Sequence, residues 1–366
     1  MSDTFPCAID ARVQYLIVDL ILGSEMKKTT KILIGVLLVL SVSWFLSSKV
    51  GQRTFVNITS VHETKTIGQE RAIKGIYLNS RSISVENTVQ IIRKITEHGF
   101  NAVVINVKNV AGEITYASKV PLAKQLGAVT GRLDITTIVE KFHESGIYVI
   151  ARLTCFRDPV LAAFCCSGGN WANPDDSTAK QYNINIAKEV STLGFDELQL
   201  DYIRYSDGPG KIGGNYSHRS KVIAGFIEQL RSQISPHVKL SADVYGRTLW
   251  DWNSKDIDPI GQNLRYIQDH VDYLSPMIYP SHYRDPSLVY DPYKLVDLAL
   301  KAGSSRLDVG VRPFIQGFDR SLPSNMSLVE YIQEELQALE DNDQRGFLVW
   351  NPRSNYDSLW EAIETY

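Results

Sequence analysis

The sequence predicts an α/β fold, a single (β/α)8 TIM barrel preceded by an N-terminal signal or anchor segment. Eight apolar, β-rich runs alternate with helical patterns between residues 73 and 366, and this alternation predicts a parallel sheet. About eight strands over this length favour a closed barrel over an open sheet. No Gly-x-Gly-x-x-Gly fingerprint or Gly-Lys-Ser/Thr phosphate loop occurs, which disfavours a nucleotide-binding open sheet.

The predicted elements are bounded by ordinary start and stop signals. Ser327 and Glu330 form a capping pair at one helix start, and Gly99 and Gly146 follow helices as C-terminal glycines. The predicted strands are 75–79, 102–108, 148–154, 197–205, 239–246, 273–279, 307–314 and 346–350. The predicted helices are 85–98, 135–145, 179–193, 218–234, 293–302 and 328–339.

Composition excludes several classes of function. The chain has 366 residues, 44% of them hydrophobic, and a net charge of -3, so it lacks the basic footprint of a nucleic-acid-binding protein. The histidines form no His-x-His or His-Glu-x-x-His pattern, and the four cysteines lack paired ligand spacing. We therefore expect no metal and no cofactor. Cys165 and Cys166 favour a loop feature, and a disulfide from Cys155 to one of them stays open.

The N-terminus carries a targeting pattern. Lys27, Lys28 and Lys31 precede the apolar run 32–46, which is typical of a secretory signal or an uncleaved anchor. We assign residues 1–25 to an upstream extension, 26–50 to the signal peptide or anchor, 51–72 to a linker and 73–366 to the barrel. The sequence therefore predicts an extracytoplasmic protein, secreted or attached to the membrane through this segment.

Two aspartates stand at the ends of otherwise apolar strands. Asp201 lies in the run 197–205, at the tip of its apolar part, and Asp243 lies in the run 239–246. Buried parallel strands read as hydrophobic runs, so a charge near the end of one needs a reason. If the two strands are neighbours, both carboxyl groups enter one barrel mouth, as glycosidic-bond hydrolysis requires. The alternative for Asp201 is a structural pairing with an arginine such as Arg152 or Arg204.

Strand parity places further polar and aromatic side chains on the inward face. Because alternate side chains share a face, Leu198, Leu200 and Tyr202 should meet the outer helices while Asp201 points inward. Cations in the mouth would bind sugar hydroxyls or an anionic substituent, or simply balance the acids, and aromatic rings would stack on sugars or belong to the core. The predicted substrate-binding residues are Lys108, Arg152, Arg204, Tyr245, Tyr279, Arg312 and Trp350. Glu113 and Asp158, in loops after strands, are rival acids.

Four segments together resemble a known family. They are 74–79, the run 106–108 with Gly112 and Tyr116, 195–205 and 271–279. These segments resemble the glycoside hydrolase domain of many bacterial extracytoplasmic proteins, over roughly residues 73–355. That family is similar to α-amylase and α-galactosidase barrels, which implies a nucleophile on the fourth strand, here Asp201.

The chain also departs from two patterns. The Asp-x-x-Asp-x-Asp-x-Glu pattern of chitinase-like barrels would align with Asp196, Gln199, Asp201 and Ile203, so its acid is missing. The departure argues against substrate-assisted chitinase chemistry. The family also implies an acidic residue after Lys108, where Asn109 stands.

These observations predict a glycoside hydrolase that acts on an extracytoplasmic polysaccharide, with Asp201 and Asp243 as its catalytic pair. The resemblance implies a retaining outcome. The alternatives are a barrel at the cell envelope that binds a glycan or a partner without catalysis, and a metal-dependent lyase or hydrolase that uses the same mouth.

Overall fold

The structure, a computed structural model, describes residues 72–366 except 167, 208–214 and 284. Residues 71–366 form one compact unit. The strands are β1 (Lys74–Leu78), β2 (Ala102–Lys108), β3 (Ile114–Tyr116), β4 (Val129–Leu133), β5 (Tyr148–Thr154), β6 (Glu197–Asp201), β7 (Lys239–Tyr245), β8 (Tyr273–Met277), β9 (Gly310–Val311), β10 (Phe314–Gln316) and β11 (Phe347–Trp350).

Eight of these strands close a parallel barrel. β1, β2, β5, β6, β7, β8, β10 and β11 pair in that order, and β11 pairs back to β1. The predicted (β/α)8 barrel is therefore confirmed. The fourth predicted strand is shorter than expected and ends at Asp201. The seventh is broken into β9 and β10, so its barrel portion lies later in the chain than predicted.

The helices that cover the barrel follow the predicted periodicity. They are α1 (Thr88–Glu97), α2 (Pro121–Gln125), α3 (Ile135–Glu144), α4 (Pro159–Cys165), α5 (Ser177–Val190), α6 (Tyr216–Arg231), α7 (Leu264–Ile267), α8 (Pro286–Val289), α9 (Pro292–Ser304), α10 (Leu328–Asp341) and α11 (Asp357–Thr365). Ser327 caps α10 through the predicted capping box with Glu330. Gly99 and Gly146, just beyond α1 and α3, have the positive φ that favours glycine there.

Alternation along the strands separates two apolar layers. Leu198 and Leu200 belong to the large core between the barrel and its helices. A smaller apolar cluster fills the barrel interior and contains Tyr77, Val104 and Ile150. Each fully buried aliphatic side chain stabilises the fold by roughly 1.5–3 kcal/mol. The inner cluster therefore makes the barrel interior a packed core.

A polar network occupies the amino-terminal end of the barrel. Glu197, the first residue of β6, accepts hydrogen bonds from Arg312, from Ser241 at 2.5 Å and from the Tyr148 hydroxyl at 3.1 Å. Arg312 and Glu197 form a buried ion pair, and Arg312 also packs on the ring of Tyr273. The network ties together β5, β6, β7 and the segment before β10 at the end opposite the expected active site.

The N-terminal predictions fall outside the described part of the chain. The extension at 1–25, the anchor at 26–50 and all but the last residue of the linker at 51–72 precede it. Within residues 72–366, as far as the structure describes them, no helix has the length and apolar character needed to span a membrane.

Candidate active site

Asp201 and Arg152 meet at the carboxyl ends of neighbouring strands. Thr154 of β5 lies opposite Asp201 in the ladder, which brings Arg152 alongside it. Arg152 donates from Nε to Oδ2 of Asp201 at 2.9 Å and from Nη2 to the same oxygen. Both side chains are buried, with 3% and 7% exposure. A charge buried this deeply needs a partner, and the ion pair supplies one.

Asp243 lies near the same guanidinium. Its Oδ2 lies 3.9 Å from Nε of Arg152, and its side chain is only 2% exposed. Its Oδ1 has no hydrogen-bond partner among the described residues. Burial, and then the negative charge of Asp201, raise the pKa of Asp243 well above its ordinary value. The site therefore holds one carboxylate with a cation and one carboxyl group that favours its protonated form.

The separation of the two carboxyl groups is limited by the shared arginine. Because both distances are measured from Nε of Arg152, the two Oδ2 atoms cannot lie farther apart than the sum of 2.9 Å and 3.9 Å. Retaining glycosidases hold their carboxyl groups ~5–5.5 Å apart and inverting enzymes ~6.5–9.5 Å apart. The upper limit on the distance between the two Oδ2 atoms allows the whole range of retaining enzymes, but it reaches only the lower edge of the range of inverting enzymes.

A hydrogen-bonded chain fixes the far side of Arg152. Its Nη1 donates to Asn106 at 2.6 Å, and Asn106 donates to the hydroxyl of Tyr77 at 2.6 Å. The Tyr77 ring stacks on Trp350 with centroids 3.8 Å apart, and the guanidinium lies 4.8 Å from the Trp350 ring. Trp350 is partly exposed, so it forms an aromatic wall above the acids. We did not predict Tyr77 as a site residue, although the alternation of side chains along its strand could have indicated it.

Tyr279 and His282 form a second, largely buried aromatic wall beyond β8. Burial and the charges of Asp243 and Asp201 raise the pKa of Tyr279, so its phenol stays protonated. His282 lies with its ring centroid 5.1 Å from that of Tyr279 and 4.7 Å from that of Tyr245. Burial lowers the pKa of His282 to about 4, so the imidazole is neutral at pH 7. This wall offers hydroxyl and ring surfaces rather than charge.

Tyr202 does not face the helices as the strand parity predicted. Its φ of 52° is in the left-handed region, a genuine outlier for a bulky residue. The strand ends at Asp201, and the ring of Tyr202 instead packs 5.7 Å from Trp171. Its backbone N–H donates to Oδ1 of Asp201 at 2.5 Å, so the unusual turn also holds the carboxylate.

Arginines and aromatic rings alternate around this turn. Arg204 lies 4.4 Å from the ring of Trp171 and 5.0 Å from that of Tyr245. The guanidinium of Arg247 lies 4.3 Å from the centroid of the same Tyr245 ring. Each such contact stabilises the pair by roughly 0.5–2 kcal/mol, depending on desolvation. The structure thus brings Arg204 and Tyr245 together near the acids, with Arg204 mostly buried by its neighbours.

We predicted that Lys108 would share the inward face of Asn106, and the structure shows that it does not. The pairing with β5 shifts between these two residues, so Lys108 lies opposite Leu153, which belongs to the outer core. Its ammonium pairs with Asp158 at 2.7 Å and donates to Asn183 of α5 at 2.9 Å, with no exposure. A β-bulge re-aims side chains in this way. Lys108 therefore lies between the barrel and α5.

Arg312 likewise does not lie with the other predicted substrate-binding residues at the mouth of the barrel. Its guanidinium pairs with Glu197 at the amino-terminal end of the barrel, whereas Asp201 lies at the carboxyl end of the same strand. The barrel part of the seventh strand begins at Phe314, later than predicted, which leaves Arg312 before it. The inward direction was right, but the level along the barrel axis was wrong.

The rival acids occupy structural positions. Glu113 accepts a hydrogen bond from Asn109 at 2.8 Å within the turn that joins β2 to β3. Asp158 caps α4 by accepting from Leu161 at 2.8 Å, and it also pairs with Lys108. Neither carboxylate contacts Arg152 in the part of the chain that the structure describes. Asn109, where the resemblance implies an acid, completes the turn instead.

The cysteines do not form the pair that the sequence left open. Cys165 and Cys166 are joined to each other in a disulfide, and Cys155 is a buried free thiol. Among the described residues, these two cysteines and Asp176 bring potential metal-binding atoms close together. The disulfide occupies the two thiolates that a metal ion would need.

The comparisons with known proteins agree with this architecture. A family described as "Putative glycosyl hydrolase domain" matches residues 75–356. No curated protein matches the chain.

Three solved structures share the fold at low sequence identity. The glycoside hydrolase domain of PgaB (BpsB) from Bordetella bronchiseptica has a TM-score of 0.59 and 12% identity, over 80% of this chain and 98% of that one. The endo-beta-1,4-mannanase from Thermotoga petrophila has a TM-score of 0.56 and 12% identity, over 82% and 77%. A class V chitinase from Pseudomonas fluorescens Pf-5 has a TM-score of 0.53 and 11% identity, over 80% and 99%. The family match covers most of the chain, which therefore belongs to the "Putative glycosyl hydrolase domain" family.

Proposed function

We propose that this protein hydrolyses glycosidic bonds of an extracytoplasmic polysaccharide, with Asp201 as nucleophile and Asp243 as general acid. One observation carries the proposal, which is that Arg152 lies close to both carboxyl groups, pairing directly with Asp201, while the surroundings of Asp243 raise its pKa and favour its protonated form. Pairs of acids whose environments separate their pKa values are the usual basis for assigning acid and nucleophile.

The proposed reaction has two steps. In the first, Asp201 attacks the anomeric carbon while Asp243 gives its proton to the departing glycosidic oxygen, which leaves as an alcohol. The result is a glycosyl ester on Asp201 and an ionised Asp243. In the second, Asp243 takes a proton from water, whose oxygen attacks the anomeric carbon and releases Asp201 as a carboxylate. Each group returns to its starting protonation state.

A retaining outcome is supported by the limit on the carboxyl separation. An inverting mechanism needs room for a water molecule between the sugar and the base, at ~6.5–9.5 Å. The distances from Arg152 to Asp201 and Asp243, 2.9 Å and 3.9 Å, leave almost none of that range. We therefore propose net retention, which proton NMR of the first product anomer would test.

The walls of the site are suited to sugars. Trp350 presents a partly exposed ring close to Arg152, and Tyr279 lies buried near the acids, and aromatic faces with polar tips bind amphipathic ligands. Tyr245 and Arg204 extend the surface toward the loops after β6 and β7. The structural neighbours are described as glycoside hydrolase, mannanase and chitinase, which supports a polysaccharide substrate.

The proposed location rests on the sequence of residues 26–50. Their basic and then apolar pattern supports export or membrane anchoring. Fusing residues 1–72 to alkaline phosphatase, which folds only after export, would test this. Enzyme activity in cells supports the proposal, and an inactive cytoplasmic fusion contradicts it.

The hydrolytic proposal is tested by two substitutions with a glycan panel and reducing-end detection. We expect Asp201→Asn to abolish hydrolysis of any responsive glycan. Asp243→Asn should lose activity on natural linkages, but with aryl glycosides, whose acidic leaving groups need no proton donor, it should still release a first equivalent of phenol before slow turnover, because the base for the second step is missing. Asp269→Asn, an exposed aspartate outside the site, is the matched control. Unchanged hydrolysis in Asp201→Asn would overturn the assignment.

Burial of both carboxyl groups favours one alternative, a barrel that binds a glycan without cleaving it. The side chains of Asp201 and Asp243 are only 7% and 2% exposed. A pair of acids that reacts with a bound sugar has to be accessible to it. This alternative predicts measurable glycan affinity, no turnover, and equal affinity in Asp201→Asn and wild type. Isothermal titration with the same panel separates it from hydrolysis.

A further inference from the structure

Within the part of the chain that the structure describes, Arg157 carries a charge that no carboxylate neutralises. It follows β5 and is partly exposed, and its guanidinium lies 5.4 Å from the ring centroid of Tyr202. No described carboxylate lies within ion-pair distance of this guanidinium. The two arginines that follow the next strands do have such partners, since Arg204 pairs with Asp207 at 3.4 Å and Arg247 pairs with Asp258 at 3.6 Å.

The position of Arg157 is linked to the candidate active site by backbone hydrogen bonds. Phe156 donates to the carbonyl of Tyr202 at 3.2 Å, and Cys155 donates to the carbonyl of Asp201 at 2.8 Å. The segment that carries Arg157 therefore runs beside the end of β6. The left-handed turn at Tyr202 places its ring between Arg157 and Trp171. A ligand over Asp201 that extends across Tyr202 would reach this guanidinium.

The ring of Trp171 links this position to a neighbouring cavity. Trp171 lines a cavity of about 380 Å³ together with Asp175, Tyr205 and His218, whereas Arg157 and Tyr202 do not line it. Its size is within the range of small-ligand pockets, ~300–1,000 Å³. Asp175 pairs with His218 at 2.8 Å and accepts from Tyr205 at 2.7 Å, and Arg219 also lines the cavity, so its wall carries groups of both signs.

We propose that Arg157, with the rings of Tyr202 and Trp171, forms a subsite for a sugar that bears a carboxylate. The planar guanidinium matches a carboxylate with two parallel hydrogen bonds, and the rings would contact the sugar face. Arg152 compensates the charge of Asp201, and no described carboxylate pairs with Arg157, so its guanidinium is available to a ligand. This inference rests on the proposed function, since it names the class of substrate: a polysaccharide with acidic residues, such as a uronic acid.

The test uses matched pairs of oligosaccharides that contain glucuronic, galacturonic or muramic acid, each with its carboxyl-reduced counterpart. Binding is measured on a glycan array for the full chain and for Arg157→Gln and Arg157→Lys. We expect the wild type to prefer the acidic member of at least one pair about tenfold, as the loss of one charge-assisted contact implies. Arg157→Gln should lose this preference, and Arg157→Lys should keep only part of it. Arg93→Gln, an exposed site on α1, should keep all of it.

Several outcomes overturn the proposal. One is equal binding of both members of every pair, or binding of none. Another is a preference that survives in Arg157→Gln. Stronger binding of a sulfated analogue than of the carboxylate form also contradicts the assigned chemistry. Failure here is distinct from failure of the hydrolytic proposal, because hydrolysis of a neutral glycan that depends on Asp201 can be present while Arg157 has no effect.

Discussion

Arg152 donates two hydrogen bonds, from Nε and Nη2, to a single oxygen of Asp201. The other oxygen of Asp201 accepts from the backbone of Tyr202 at 2.5 Å. The carboxylate is thereby held from two directions, and Arg152 also lies within 3.9 Å of Asp243. A single guanidinium consequently sets both the position of one acid and part of the charge around the other.

Replacing Arg152 should cost both stability and function. In Arg152→Met, Asp201 becomes a buried charge without a cation, which typically costs about 3–5 kcal/mol of unfolding free energy. Arg152→Lys keeps the charge but loses the double hydrogen bond, so we expect a smaller loss. Urea unfolding of the two variants measures the difference. Arg93→Met on the surface should change the free energy little, and a wild-type value for Arg152→Met would contradict the buried pair.

Asp243 should make stability depend on pH. Its pKa is raised in the folded state because of burial and of Asp201, so the folded protein keeps a proton that the unfolded chain releases above about pH 3.9. The unfolding free energy of the wild type should therefore fall as pH rises from there to the folded pKa. Asp243→Asn lacks this proton, so its free energy should fall less over the same interval. Parallel pH dependences in urea titrations would contradict the raised pKa.

Strand parity was enough to predict the centre of the site. Asp201, Arg152 and Trp350 were all expected on the inward face, and they do lie together. Parallel strands in a closed barrel have only one face turned inward, and their carboxyl ends meet at one mouth. For these residues the direction of each side chain followed from alternation alone.

The residues that were placed wrongly differ from the rest in backbone geometry. Lys108 lies after a bulge, which reverses its face, and Tyr202 lies after the strand in a left-handed turn. Arg312 points inward at the wrong level because the seventh strand is interrupted. None of these features has a signature in side-chain alternation, since each depends on how neighbouring strands pair.

Tyr202 should tolerate glycine better than alanine. Both substitutions remove the ring, but alanine keeps the cost of the left-handed conformation, roughly 1–2 kcal/mol for a residue with a Cβ, whereas glycine does not. We expect Tyr202→Gly to be more stable than Tyr202→Ala by about 1 kcal/mol in thermal or urea unfolding.

The control for this comparison is Asn185, an exposed residue within α5. Glycine there should be less stable than alanine by about 1 kcal/mol, as in any helix interior. The glycine variant should thus be the more stable one at residue 202, and the alanine variant should be the more stable one at residue 185. The same order at both would show that the turn at Tyr202 is not left-handed in solution.

Lys108 should affect stability rather than glycan binding. Lys108→Met leaves Asp158 buried without its cation, with a cost of about 3–5 kcal/mol. The double variant Lys108→Met, Asp158→Asn should recover much of this loss, because asparagine can still cap α4. Urea unfolding of the single and double variants measures the coupling, and the glycan panel applied to the folded double variant measures binding. If binding falls in the double variant while stability is restored, Lys108 belongs to the sugar site after all, and the face given to it by the bulge is wrong.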